Sequence, residues 1–252
     1  MRIAINGARG RMGRILTDML DEGAKHVIAA LVEVPGHPGA GIPVMTRNGP
    51  VTLLDSPAAI PADIDIGIDF SAPGFCEPFA RAMYDRGAAL IVGTTGLDQA
   101  GRDVLAGLAE RIPLLAAANL SLGVYCLTEL TMAARRMLGD DYDVEIVEMH
   151  HRHKKDSPSG TALAIADELS ATGLDVTISR EGQRRDHEAG VVSVRGGEVV
   201  GTHTIYFLGA HDQIEICHRA SSRAVFARGA IILGECLAGS KPGLYDVRDL
   251  LR

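Results

Sequence analysis

Apolar positions in the first half of the chain recur in short runs separated by stretches with helical spacing. Arg2–Ile5 is an apolar run ending in a glycine turn, and Arg14–Glu22 then places Ile15, Leu16, Met19 and Leu20 on one helical face. His26–Glu33 reads as a second buried strand, and Pro35–Pro50 as a Gly/Pro-rich excursion. Three more apolar runs follow at Ile64–Phe70, Ala88–Val92 and Leu114–Ala118, separated by helical patterns at Gly74–Arg86 and Gln99–Arg111. Strands alternating with helices of this length predict an α/β, Rossmann-like unit: a parallel sheet with right-handed crossovers.

After Leu122 the pattern changes. A long helix is expected over Val124–Leu138, and Asp143–Met149 then alternates Val144, Ile146 and Met149 with acids at period two. A helix over Gly160–Ala171 precedes four β-like runs, Val176–Arg180, Val191–Arg195, Val199–Leu208 and Gln213–Ala220, with no helix among them. Strands in series predict a second, α+β domain on a mixed sheet. The last helix, Arg223–Leu237, and the tail fit either domain by pattern. The division adopted is 1–121 completed by 231–252, and 122–230.

Composition narrows the picture. Hydrophobic residues make up 46% and charged residues 23% of 252, which is globular. A net charge of −7 argues against nucleic acid or an anionic membrane as partner, and no Trp with 4% aromatics leaves no base-stacking platform. The start, Met1–Gly7, has no signal-peptide core, and Ile112–Thr128, the longest stretch without acid or base, contains Pro113, Asn119, Ser121 and Gly123, against a membrane span. Cys76, Cys126, Cys217 and Cys236 form no C-x-x-C pair and read as reduced core thiols of a cytoplasmic protein.

Two places carry chemistry. Gly7-Ala8-Arg9-Gly10-Arg11-Met12-Gly13 lies where the first strand meets the first helix, and Glu33 ends the second strand 20 residues beyond Gly13. Glycines there let the backbone approach a pyrophosphate at the helix N-terminus, and the acid accepts hydrogen bonds from a ribose diol. A tight turn without ligand is the plainer reading of the glycines; Glu33 in register favours a dinucleotide site. Val34 follows Glu33 where a 2′-phosphate usually needs a cation, and Glu33 itself would repel one. Arg9 and Arg11 compensate in part, so NADH is favoured over NADPH. Gly93, Thr94 and Thr95 follow one sheet strand and Ala117, Ala118, Asn119 and Leu120 the next, and ligands gather at such edges.

The second place is Glu148–Ala162. Three histidines (His150, His151, His153) and three cations (Arg152, Lys154, Lys155) fall within six positions, before a small-residue run that opens a helix. First-turn N–H groups are unpaired, and the helix dipole holds a carboxylate by roughly 0.3–1 kcal/mol. Ser159, Gly160 and Thr161 would bind one carboxylate there, and Lys154 and His151 a second. Histidine titrates nearest operating pH, so His150 is a candidate proton carrier. A zinc site through His150 and His153 has no cysteine beside it and no H-E-x-x-H, so no metal is expected. A small dianionic substrate that is protonated as it reacts fits these groups.

The segment E-M-H-H-R-H-K-K-D-S-P-S-G-T-A resembles the signature of the 4-hydroxy-tetrahydrodipicolinate reductase family, long called dihydrodipicolinate reductase. The similarity extends through Gly7–Gly13, Gly93–Gly96, Ala117–Gly123, Gly201–Thr204, Arg223–Ala230 and Gly243–Tyr245. It implies a cytoplasmic homotetramer on the diaminopimelate route to lysine, with a Rossmann domain and a mixed-sheet domain for substrate and assembly. By that match Gly7, Ala8, Arg9, Gly10, Arg11, Met12 and Glu33 bind NADH or NADPH, as do Gly93–Thr95 and Ala117–Leu120. His150 matches a proton donor or acceptor and Lys154 the second donor, while His151, Gly160 and Thr161 match the groups that hold substrate carboxylates. Hydride would go to ring carbon 4, with loss of water and no metal. Leu120 stands where members usually carry an aromatic. The alternatives are a dehydrogenase of another imino or amino diacid, of the aspartate-dehydrogenase type, and a non-catalytic NAD-binding sensor.

Overall fold

The computed structural model describes residues 1–251, which form two compact units: Met1–Ser121 with the segment from Ala224 onward, and Leu122–Arg223. The division falls ahead of the helix Ala224–Leu237. The expected cut at 230/231 would have split that helix, so this boundary moves to 223/224; Arg252 lies outside the described residues.

The first unit begins β1 (Arg2–Asn6), α1 (Arg11–Glu22), β2 (Val27–Val32), β3 (Pro43–Thr46) and β4 (Gly49–Leu54). It continues β5 (Ile66–Asp69), α2 (Pro73–Arg86), β6 (Ala89–Val92), α3 (Gln99–Ala109) and β7 (Pro113–Ala116). The second unit holds α4 (Leu122–Leu138), β8 (Asp143–His150), α5 (Gly160–Ser170), β9 (Asp175–Ile178), β10 (Glu188–Arg195), β11 (Gly201–Leu208) and β12 (Gln213–Ala220). The chain then returns to the first with α6 (Ala224–Leu237), β13 (Gly243–Tyr245) and α7 (Val247–Leu250).

The eight-stranded sheet runs β13-β7-β6-β5-β1-β2-β4-β3, parallel except for the β3–β4 pair. Neighbouring positions on β5 show why helices cover both faces. A Cβ on Gly67 would meet Met83 Sδ of α2 at 2.6 Å, whereas Ile66 Cδ1 points the other way and would lie 3.2 Å from a Cβ on Gly234 of α6. Both faces are buried, so these strands read as unbroken apolar runs.

Four elements, in two places, went unforeseen. The Pro35–Pro50 excursion leads into the β3–β4 hairpin, which runs on to Leu54 and whose register turns at Thr46↔Gly49 with Gly49 at φ +105°. Its alternation is half exposed and punctuated by proline and glycine, so the local pattern resembles a loop. The tail adds β13 beside β7 and then α7, capped by Asp246 and Asp249 in a reciprocal box. The thiols also differ from expectation. Only Cys76 is in the core; Cys126, Cys217 and Cys236 are exposed and free.

The five-stranded sheet, β12-β11-β8-β10-β9, is parallel across β8–β10–β9 and antiparallel across β8–β11–β12. Its inward face, Val144, Ile146, Ala189, Val191, Ile205 and Phe207, packs on Ala162, Ile165, Ala166 and Leu169 of α5 and Leu127 of α4. Each large apolar side chain buried there contributes about 1.5–3 kcal/mol. Strand β10 starts three residues before the apolar run because Glu188, although charged, is buried against Arg180 and Arg185.

Candidate active site

In the first unit the turn after β1 is a cradle that only glycine permits. Gly7 sits at φ +72°, and a Cβ there would lie 2.8 Å from the Phe70 carbonyl oxygen. A Cβ on Gly13 would lie 2.1 Å from the Gly7 carbonyl oxygen, so α1 can seat against the turn only without one. The Gly7 and Ala8 N–H groups both donate to the Val32 carbonyl, at 3.0 and 3.1 Å, which ties the turn to β2. Helix α1 starts at Arg11, earlier than its apolar face suggested, with Gly10 as a cap lacking a side-chain acceptor and no acid in its first turn. Its N-terminus therefore attracts an anion. Glu33 Oε1 accepts from the Arg9 N–H at 2.7 Å, so the acid stands at the lip of the turn. Arg9 and Arg11 are exposed and Met12 is half-buried.

The other two turns are held by a buried group that sequence reasoning missed. Asp69, at the end of β5, is fully buried; its Oδ1 accepts from Asn6 Nδ2 (2.7 Å) and Ser71 Oγ (2.6 Å), and its Oδ2 from Thr94 Oγ1 (2.7 Å). This one carboxylate links the ends of β1, β5 and β6. A Cβ on Gly93 would fall 2.4 Å from the Phe70 ring, which explains the glycine. Thr94, Thr95, Ala117 and Ala118 line one cavity of about 530 Å³, together with Arg102 and Tyr245. Asn119 Oδ1 accepts from the Ser121 N–H at 2.9 Å, and Leu120 is buried in the core. The chemistry of these turns, glycines that admit a close backbone approach, an unpaired helix start and an acid at its lip, suits a dinucleotide.

In the second unit, period two on β8 turns Val144, Ile146, Glu148 and His150 inward, so the apolar face becomes ionisable where α5 begins. Register adds the rest. Parallel pairing sets Arg195 beside His150, and antiparallel pairing sets His203 opposite Glu148. Glu148 Oε2 accepts from His150 Nδ1 at 2.5 Å, and Oε1 from the Ser159 N–H at 3.1 Å. Arg195 grips both oxygens, at 2.6 and 2.9 Å. Burial would raise the Glu148 carboxyl, but hydrogen bonds from Arg195, Ser193 and His150 outweigh it and hold the pKa at about 2. Burial pushes the His150 imidazole below its ordinary value, with Glu148 pulling against it. The His150 and His203 rings meet edge to face at 5.2 Å.

The remaining expected residues divide. Lys154 is half-buried, its Nζ 2.8 Å from Asp156 Oδ2. His151 is half-buried with Nδ1 unpartnered, whereas His153 is exposed toward Glu198. Space beside Gly160, the first residue of α5, is open: a Cβ there would meet nothing within 4 Å. Thr161 follows on the same first turn. Ser159, expected to touch substrate, is buried, and its hydroxyl caps α5 at the Ala162 N–H (3.2 Å) and meets His203 Nε2 (3.1 Å). Glu148, Arg195 and His203 were not singled out as acting groups, and only strand register brings them together. Among the described residues no group of three or more His, Cys, Asp or Glu is placed to hold a metal ion.

A Rossmann-type sheet with a glycine cradle, in a chain that also carries a buried imidazole–carboxylate pair beside a helix start, defines a nicotinamide-dependent oxidoreductase. Family profiles described as dihydrodipicolinate reductase, N-terminus and C-terminus, match residues 1–120 and 123–251. The chain belongs to the dihydrodipicolinate reductase family. The 4-hydroxy-tetrahydrodipicolinate reductase of Thiobacillus denitrificans is 40% identical over 100% of this chain and 98% of its own length. That of Myxococcus xanthus is 42% identical over 100% and 97%. Among solved structures, the dipicolinate-bound dihydrodipicolinate reductase of Paenisporosarcina sp. TG-14 aligns over 100% of this chain and 99% of its own, with TM-score 0.77 and 20% identity.

Proposed function

We propose that this chain reduces 4-hydroxy-tetrahydrodipicolinate to tetrahydrodipicolinate, with loss of water, on the diaminopimelate route to lysine. The observation that carries this reading is the fold of Glu148–Ala162: one strand end, one loop and one helix start supply an imidazole, an ammonium and an anion site within fifteen residues. Relatives that align over the whole of this chain and 97–98% of their own length are named for that activity.

The turn Gly7–Met12 and Glu33 hold the dinucleotide, with Gly93–Thr95 and Ala117–Leu120 beside it. When bound, the nicotinamide supplies hydride to ring carbon 4. His150 and Lys154 manage the protons: His150 through Nε2, because Nδ1 is engaged by Glu148, and Lys154 as a cation steadied by Asp156. The α5 start at Gly160 and Thr161 takes one substrate carboxylate, and His151 with Lys154 the other. No metal is needed for this chemistry. Glu33 repels a 2′-phosphate, so NADH is the better cofactor; a tenfold higher kcat/KM with NADPH would defeat that part. The second domain assembles a cytoplasmic homotetramer.

His150→Ala tests the reading. It should lower kcat about 10²–10⁴-fold while leaving NADH affinity unchanged. A loss under fivefold would place the proton carrier elsewhere. If the wild-type chain consumes NADH with other imino diacids but not with 4-hydroxy-tetrahydrodipicolinate, the substrate assignment fails.

A further inference from the structure

We infer that Arg195 is a positioning residue for the proton chemistry: its guanidinium clamps Glu148 in one orientation, and Glu148 fixes the His150 ring with Nδ1 protonated and Nε2 presented. This rests on the reading of His150 given above. Two parallel bonds, Nη2 to Oε1 at 2.6 Å and Nη1 to Oε2 at 2.9 Å, make a fork that a carboxylate accepts in one geometry. The Ser159 N–H takes a further position on Oε1, so Glu148 cannot swing. An ionised carboxylate only accepts, so the hydrogen between Glu148 Oε2 and His150 Nδ1, 2.5 Å apart, belongs to the ring nitrogen. Nε2 is then the nitrogen that exchanges a proton. It lies 3.0 Å from where a Cβ on Gly201 would stand, so the missing side chain leaves it room.

Charge explains why an arginine is required. Glu148 has no exposed surface, and a buried carboxylate without a counter-ion would take up a proton or charge its neighbouring imidazole. Arg195 neutralises Glu148, and His150 can then shuttle a proton from a neutral resting state. The same guanidinium donates to the Asp156 carbonyl at 2.7 Å, and Asp156 pairs with Lys154. One side chain thus sets both proposed proton carriers. The groups around His150 are Glu148 on its own strand, Arg195 on β10, His203 on β11, with His218 opposite it on β12, and Lys154 and Asp156 in the loop that follows.

The test is the pH profile of kcat for the full chain with NADH and 4-hydroxy-tetrahydrodipicolinate. Removing the cation with Arg195→Met should move the limb that reports His150 to higher pH by about one unit, and removing the negative charge with Glu148→Gln should move it to lower pH by a similar amount. Both should lower kcat about tenfold or more with KM for NADH unchanged. Arg195→Lys restores charge without the fork, so its limb should return toward the wild-type position while kcat stays reduced. Long-range ¹H–¹⁵N correlation on the wild type should show His150 protonated at Nδ1, a reading available even if a variant fails to fold. The clamp is overturned if both variants shift the limb in one direction, if kcat falls with the limb unmoved, or if Nδ1 carries no hydrogen. Should His150→Ala itself retain kcat within fivefold, the underlying reading fails instead.

Discussion

His203 is 3% exposed, with Ser159 Oγ at 3.1 Å on Nε2 and, among the described residues, no hydrogen-bond partner on Nδ1. Burial, with the neighbouring His150 adding to it, lowers its pKa from the ordinary 6.5 to about 4. The shift is downward for a base, so the unfolded chain accepts a proton that the folded one refuses. His203 therefore costs nothing above pH 6.5; stability declines as pH falls from 6.5 and the penalty is complete near pH 4. Over that span it amounts to about 3 kcal/mol. Urea unfolding at several pH values checks this. His203→Gln should flatten the loss of stability between pH 6.5 and 4 by about that amount, leaving the pH 8 difference as the cost of lost packing. A slope identical to wild type would mean the His203 ring is hydrated. Glu148 adds acid sensitivity of the same sign lower down, because its pKa of about 2 lies below that of an unfolded carboxylate.

At the scale of elements, α6 is placed by one residue. A Cβ on Gly229 would lie 1.7 Å from the Leu120 carbonyl oxygen, so the helix rests its backbone directly on the turn that carries Ala117–Leu120. Gly229→Ala must displace either helix or turn. Overpacking of this kind costs about 1–3 kcal/mol, or roughly 2–4 °C in Tm per kcal/mol for a chain of this size. Calorimetry should show that loss, and NADH titration a weaker Kd, since the turn belongs to the proposed cofactor site; an unchanged Kd would detach Leu120 from it. Helices and buried strands were legible wherever one periodicity ran unbroken, as in α4 and β8. The β3–β4 hairpin was not, because its half-exposed alternation is cut by Pro43, Gly49 and Pro50. Candidate residues clustered in sequence, from His150 to Thr161, could be named in advance. Arg195 and His203 could not be named as acting groups, since their place beside Glu148 follows from pairing β8 with β10 and β11, over separations of 47 and 55 residues that local pattern does not encode.

For the whole molecule, the proposed assembly draws attention to the second face of the five-stranded sheet. Its inward positions are covered by α4 and α5, and the alternate positions Val147, Met149, Val192, Val194 and Tyr206 face outward. Met149, Val192 and Val194 are 36%, 45% and 38% exposed and adjoin one another through the β8–β10 register, and contiguous exposed apolar positions mark an interaction face. Strand β8 therefore serves two purposes by its pleat: Glu148 and His150 point to the chemistry, and Val147 and Met149 to the surface. A second copy of the same sheet is the occupant that matches an apolar, strand-built face, and a stable pair would need to cover about 800 Å² on each side. A carboxylate buried at such a contact without a partner is costly. If the proposed tetramer forms through this face, Val192→Glu combined with Val194→Glu should reduce the sedimenting particle to a smaller species in sedimentation equilibrium, while far-UV circular dichroism stays unchanged because both side chains lie outside the core. A wild-type chain that sediments as a monomer, or a double variant that keeps the full tetramer mass, would remove this face as the site of assembly.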